Sequence, residues 1–310
     1  MSLKYVATQI GNGDNVALVG LSETNLVVGK TFRKVSAGQL QSASERAIVW
    51  VEGVLTQIDV GPCFNSQAMS VGDGNVIVGT GTNPNKWGVF SWVEENGIVS
   101  RLDGLGGSNI MVEDTNGRVH CGQASLPNRI ARAVKWENNQ CVDLGTLGGP
   151  GALARGVNRK GSVVGSSRVS ASVNTMGAFI HKDGKMTALP KNDTLHSHAF
   201  GVNDQDDVVG AVAGGWKPAK WEKAEKLVVL SESQGQAFDI NNDGIVVGTV
   251  GNPGVAFVHD GKTLHFLNDI TDGLNGVSLA VARRINNQGC IAAYGFDNKY
   301  NMIGFLLIPA

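Results

Sequence analysis

The sequence predicts an all-β fold, a seven-bladed β-propeller of four-stranded blades closed by the N-terminal strand, and three observations predict it. First, a short apolar run ending in glycine recurs along the chain: LVVG to Gly29, VIVG to Gly79, VHCG to Gly122, SVVG to Gly165, DVVG to Gly210 and IVVG to Gly248. Successive glycines stand 50, 43, 43, 45 and 38 residues apart, a period that fits four-stranded propeller blades or paired-helix repeats. Second, the runs are short, β-branched and bounded by Gly, Asn and Asp, with no sustained 3.6-residue periodicity, which excludes helices. Third, the chain ends complement each other. A seventh unit, INNQGCIAA, places Ala293 where the glycine is expected and ends at IGFLLIPA without a fourth strand. The N-terminal KYVATQI repeats the TQI of VLTQIDV in unit one, so residues 4–10 supply the missing outer strand and leave no open sheet edge.

Each unit divides into four strands, with blades beginning near residues 16, 66, 108, 150, 196, 235 and 277 of a single domain covering 1–310. The first strand reads ALARGVN, SHAFGVN, QAFDIN and VARRIN in the best-formed copies. The turns NRKG, NDQD, NNDG and NNQG follow; Asn folds its side chain onto the backbone there, and Gly accepts positive φ. The second strand is the run ending in glycine. The third ends in an aromatic residue or His: Trp50, Trp92, Trp136, His181, Trp221 and His259. One recurring position for the four tryptophans predicts that they pack between blades, with His181 and His259 as packing substitutes. The fourth strand follows a polar turn, as in HKDGKMTAL and HDGKTLHFL.

Composition agrees with a packed scaffold. Glycine supplies 42 of 310 residues, about twice the usual share, while apolar residues make up 42% and charged residues 17%. The formal net charge of −1, with no basic run, predicts no nucleic-acid surface. No apolar stretch reaches membrane-spanning length. The N-terminal MSLKYVATQIG lacks the apolar core of a secretory signal, so the expectation is a cytoplasmic protein or one released by another route, such as lysis of an infected cell. Four dispersed cysteines with no CxxC pair argue against structural zinc. Cys121 and Cys141 fall on strands separated by a third, beyond disulfide reach.

DLGTLGG, a small-residue strand and then GVNxxGxVVG resemble the bacterial HAF repeat, in which an AF(I/L)W-type strand and a DGxMT-L hairpin precede the LGG turn. GAFIHKDGKMTAL, INNDGIVVG and INNQG match it further, LDGLGG is a degraded copy, and the resemblance is strongest from Val142 to Asn287. It implies a propeller, an extracellular setting and no assigned activity.

Enzyme motifs are scarce: the chain holds no GxSxG, HExxH or GxxxxGK[ST]. DINNDG, from Asp239, begins like a calcium loop, but Val250 stands where the twelfth-position carboxylate belongs. Asp239 and Arg284 occupy equivalent positions on neighbouring first strands, which predicts an ion pair in the channel. Glu113 stands on a first strand at a position read as Val, Ile or Leu in other units, and is the one acid–base candidate. His196 and His198 alternate along a strand and could share a metal, but no third ligand presents itself. The loops between second and third strands and between blades emerge on one face, where a rigid scaffold presents variable residues. Arg33, Lys34, Trp87, Arg129, Arg132, His196, His198, Trp216, Lys217 and Tyr300 are the ligand-binding candidates on that face. The resulting expectation is a non-enzymatic module, without cofactor or metal, that binds a protein or glycan at a cell surface, in a secreted complex or in a virion. The rival is a polysaccharide hydrolase or lyase working at the channel mouth.

Overall fold

The computed structural model describes residues 3–11, 15–32, 45–83, 88–138, 140–172, 175–191, 196–212 and 216–310. Seven sheets form in chain order. Their inner strands are Asn15–Leu21, Ser66–Val71, Ile110–Thr115, Ala152–Val157, Ser197–Val202, Gly235–Ile240 and Ser278–Ile285. Six blades are plain four-stranded antiparallel meanders. In the seventh, Tyr5–Ile10 pairs antiparallel with Met302–Pro309, from Tyr5 opposite Pro309 to Ile10 opposite Gly304. The N-terminal strand therefore closes the ring as the sequence predicts. A short parallel strand, Thr271–Asp272, covers the outer edge of that closing strand, which leaves less free edge for wrong pairing.

Every inner strand carries a β-bulge, one residue before the position that faces the next blade. This bulge explains the recurring glycine. A Cβ on Gly165 would lie 2.0 Å from the Leu153 carbonyl oxygen, and one on Gly210 would lie 1.9 Å from that of His198. A bulge presses the inner strand onto its neighbour, and only a residue without a side chain fits there. Blade seven is the informative exception. Its inner strand has a second bulge between Leu279 and Val281, and the close approach moves to Gly295, where a Cβ would lie 2.0 Å from the Ser278 oxygen. Ala293 is tolerated because the extra bulge relocates the collision.

Hydrophobic clusters fill the spaces between successive blades, as layered sheets require. Trp92, Trp136 and Trp221 are fully buried and Trp50 nearly so. The register corrects one detail. Trp50, Trp136 and Trp221 lie opposite Val27, His120 and Val208, two residues before the repeat glycine, and His181 and His259 share that register. Trp92 instead lies opposite Gly79, two residues early, in the register of Phe179 and Phe257. Residues two apart share a face of a strand, so Trp92 still reaches the inter-blade core.

In blades three to seven the asparagine after the inner strand joins blade to blade, whereas blades one and two carry Ser22 and Gly72 there. Its Oδ1 accepts from its own turn: Asn203 takes Gln205 N–H at 3.1 Å and Asp207 N–H at 3.0 Å. Its Nδ2 donates to the main-chain carbonyl of the same position one blade on. Asn116 reaches Asn158, Asn158 reaches Asn203, Asn203 reaches Asn241, Asn241 reaches Asn286 and Asn286 reaches Ser22, at 2.8–3.3 Å. One amide thus satisfies a turn and a neighbour together, which no shorter side chain does.

Candidate functional site

The bulge turns one side chain per blade toward the central channel: Val19, Met69, Glu113, Arg155, Phe200, Phe238 and Arg283. Blades four to seven make a continuous belt of these. Arg155 lies over the Phe200 ring at 5.5 Å, Phe200 and Phe238 have centroids 6.0 Å apart, and Arg283 lies over Phe238 at 4.8 Å. Guanidinium over an aromatic face is attractive and strengthens as water is excluded. Glu113 interacts electrostatically with both Arg155 and Arg283, and these two arginines with each other. Groups on blades three, four and seven meet in this way only across the channel. Burial raises the Glu113 carboxyl above the usual range, and the three arginines around it oppose that rise. The register also corrects its assignment: of the residues that share the column of Glu113, only Val19 is of the expected Val, Ile or Leu type, the others being Met69, Arg155, Phe200, Phe238 and Arg283.

One residue further along each inner strand the channel closes. Arg284 Nη2 lies 3.2 Å from Asp114 Oδ1, an ion pair from blade seven to blade three, and Arg284 Nε donates to the Val19 carbonyl. Asp114 also accepts from Ser70 Oγ at 2.6 Å and Val157 N–H at 3.0 Å. The expected partner, Asp239, accepts from Ile285 N–H at 3.0 Å instead. The physical reason is reach. Neighbouring inner strands bring the Asp239 carboxylate onto the adjacent backbone, while the long Arg284 side chain crosses the lumen. Asp239 still feels the Arg284 charge, but burial dominates and pushes its carboxyl up to about 6. At the hairpin face Arg159 sits within 3.1 Å of Asp73 and 3.4 Å of Glu23, tying blade four to blades two and one.

The opposite, loop face leads into the aromatic belt. Trp216 has positive φ, its carbonyl accepts from Gly235 N–H, and its ring centroid lies 4.9 Å from that of His198. His198 stacks in turn near Phe200, at 6.4 Å. Burial holds the His198 imidazole down to about 4, with Arg155 and His196 adding to the effect, so the ring is neutral across the physiological range. Trp216 remains 41% exposed. Trp216, His198, Phe200 and Phe238 form a ladder from the surface into the channel.

Of the candidates named from sequence, His198 and Trp216 are brought into contact. His196 turns elsewhere: its Nδ1 accepts from Met176 N–H, while His198 Nδ1 bonds Ser166 Oγ. The two imidazoles therefore do not converge on one point. Arg132 pairs with Asp143 on its own blade at 3.1 Å and Lys217 pairs with Glu232. Arg129 is exposed on blade three, and Tyr300 is 86% exposed on blade seven. Arg33, Lys34 and Trp87 lie outside the described residues. Arg155, Phe200, Phe238 and Arg283 were not anticipated. Their signal is the single column of large side chains in otherwise small-residue strands, A-R-G, A-F-G, A-F-D and A-R-R.

Fold and channel together define a closed seven-bladed β-propeller module. No family model and no curated protein matches the sequence. Solved structures do match in fold. The β-propeller domain of the Trilobed protease from Pyrococcus furiosus matches with a TM-score of 0.66 at 10% identity, over 96% of this chain and 94% of that one. That domain is described as having an open velcro topology, whereas here the closing strand is hydrogen-bonded into the last blade. Pyrococcus horikoshii acylaminoacyl peptidase matches with a TM-score of 0.63 at 11% identity over 95% of this chain, which spans 51% of the peptidase. YCF48 bound to D1 peptide matches with a TM-score of 0.58 at 11% identity, over 98% of this chain and 97% of that one. Among the described residues no helix is long and apolar enough to cross a membrane.

Proposed function

We propose that this propeller is a binding module that takes a segment of another protein at the loop-face mouth of its channel and performs no chemistry on it. The observation that carries the reading is the ladder from exposed Trp216 through His198 to Phe200 and Phe238. Rigid aromatic surface in a concave, partly desolvated site is the usual anchor of a protein interface. Of the three channel carboxylates among the described residues, Asp114 is turned to Arg284 and Ser70 and Asp239 to Ile285, which leaves Glu113 alone among arginines without the paired carboxylate a glycosidase uses. A propeller of like fold, YCF48, binds a peptide, which agrees with this reading. The HAF-repeat resemblance extends the proposal to an extracellular or virion-associated setting.

The test compares wild type with Trp216→Ala on a random peptide library and on a glycan array, with thermal midpoints measured for both proteins. The expected result is peptide retention by wild type that falls at least tenfold in the variant at an unchanged midpoint. Retention of sugars alone, Trp216-independent retention, or cleavage of the retained molecules seen by mass spectrometry would each overturn it.

A further inference from the structure

We infer that the floor of the ladder, the guanidinium groups of Arg155 and Arg283, binds the free C-terminal carboxylate of that segment. This inference rests on the protein-segment reading above. The three channel arginines differ in how they are satisfied. Arg284 has its ion pair with Asp114 and a carbonyl for its Nε. Arg155 and Arg283 have no ion pair within 4.0 Å among the described residues, and the Arg155 Nε is buried with no hydrogen-bond partner. A buried N–H without an acceptor is costly, and a guanidinium fork matches carboxylate and phosphate, of which an unmodified polypeptide supplies the carboxylate. Both guanidiniums are held against Phe200 and Phe238, so their planes are positioned before any ligand arrives.

Chain-end recognition follows from what lies beyond. One step deeper, Arg284 crosses the lumen to Asp114, and Arg159 ties the far mouth. The channel is a dead end from the loop face, so an acidic side chain in mid-segment cannot bring its carboxylate there without the chain passing through. A terminal carboxylate can. The Phe200 and Phe238 rings beside the two guanidiniums favour an apolar last residue. Among the described residues Glu113 is the carboxylate that interacts with both arginines, and it competes with the ligand for them.

The experiment uses the full chain, immobilised, with a synthetic library of random hexapeptides bearing free C-terminal carboxylates and the same library amidated. A calorimetric titration with 3-phenylpropionate provides a carboxylate without a peptide. The free-acid library should be retained at least tenfold better than the amide. Arg155→Gln and Arg283→Gln should each lose at least tenfold, and Glu113→Gln should retain the peptides better than wild type. That gain on removing Glu113 is not expected if these residues merely support the fold, and thermal midpoints check folding in each variant. Equal retention of the two libraries, lost in Trp216→Ala, overturns the carboxylate inference and leaves the protein-segment reading standing. Arg155-dependent binding of 3-phenylpropionate without retention of either library overturns the protein-segment reading and keeps a carboxylate site for small acids. No binding of any probe overturns both.

Discussion

Replacing Asn203 separates the two tasks of the repeat asparagine. Its Oδ1 accepts from Gln205 and Asp207 N–H, and its Nδ2 donates to the Asn241 carbonyl at 3.0 Å. Ala removes all three bonds from a side chain that is 4% exposed. At about 0.5–1.5 kcal/mol each, the loss is roughly 3 kcal/mol. Asp keeps both turn acceptors but exchanges the inter-blade donor for an oxygen facing a carbonyl, beside Asp204, Asp206 and Asp207. Asn203→Asp should therefore cost about 2–4 kcal/mol at pH 7, although it preserves the turn. The pH response has a definite sign. A carboxyl placed against a carbonyl has its folded pKa raised, so the folded state binds the extra proton and stability recovers as pH falls. Urea unfolding of wild type, Asn203→Ala and Asn203→Asp between pH 4 and pH 7 measures this. If Asn203→Asp matches wild type within about 0.5 kcal/mol at pH 7, a typical value for an inconsequential surface change, the inter-blade bond contributes nothing and the ring of asparagines is incidental.

Two further outcomes follow from the same geometry. Asp239 sits at about 6 in the folded chain against about 3.9 unfolded, so stability should fall by roughly 3 kcal/mol as pH rises from about 3 to about 7. Asp239→Asn keeps an acceptor for Ile285 N–H and should flatten that slope in urea titrations; equal slopes would count against a buried, raised carboxyl. Gly210→Ala, whose Cβ would lie 1.9 Å from the His198 oxygen, should cost about 3 kcal/mol, while Ala293→Gly should stay within about 1 kcal/mol. Equal thermal shifts would contradict the bulge as the reason for the repeat glycine.

What could be read in advance follows the period. A residue required in every blade announces itself by recurrence, so the glycine runs, the turn asparagines and the TQI shared by the first strand and unit one led directly to blade number and closure. The bulge stayed hidden because ALARGVN reads as a plain alternating strand, and one inserted residue is invisible without its partner strand. Missing it misplaced Glu113 by two positions, since the Val, Ile or Leu column of the other blades falls on Thr115 in this one. Trp92 was misassigned by two positions because VFSW ends like RAVKW, and the shared face concealed the slip. The Arg284–Asp114 pair joins blades seven and three, 170 residues apart, and repeat spacing favours neighbours over residues facing each other across a lumen. His196 and His198 looked paired because only their strand spacing was visible, not the Met176 amide that holds one of them away.

The channel-facing column is asymmetric around this ring, and that asymmetry bears on the proposed binding role. Every blade needs the bulge, but the bulge dictates only backbone, and the side chain it turns inward is free of the packing rules that fix its neighbours. A purely structural ring would fill seven such positions with similar apolar residues, as Val19 and Met69 do. Blades three to seven instead carry Glu113, Arg155, Phe200, Phe238 and Arg283, and burial penalises the charges of Glu113 and Arg283 there. Such a departure from local preference is expected where function outweighs stability. The cluster also sits below the loop-face mouth marked by Trp216 rather than at random around the ring. Charge, aromatic surface and access thus coincide on one side of the lumen, the side on which the repeat is most regular everywhere else.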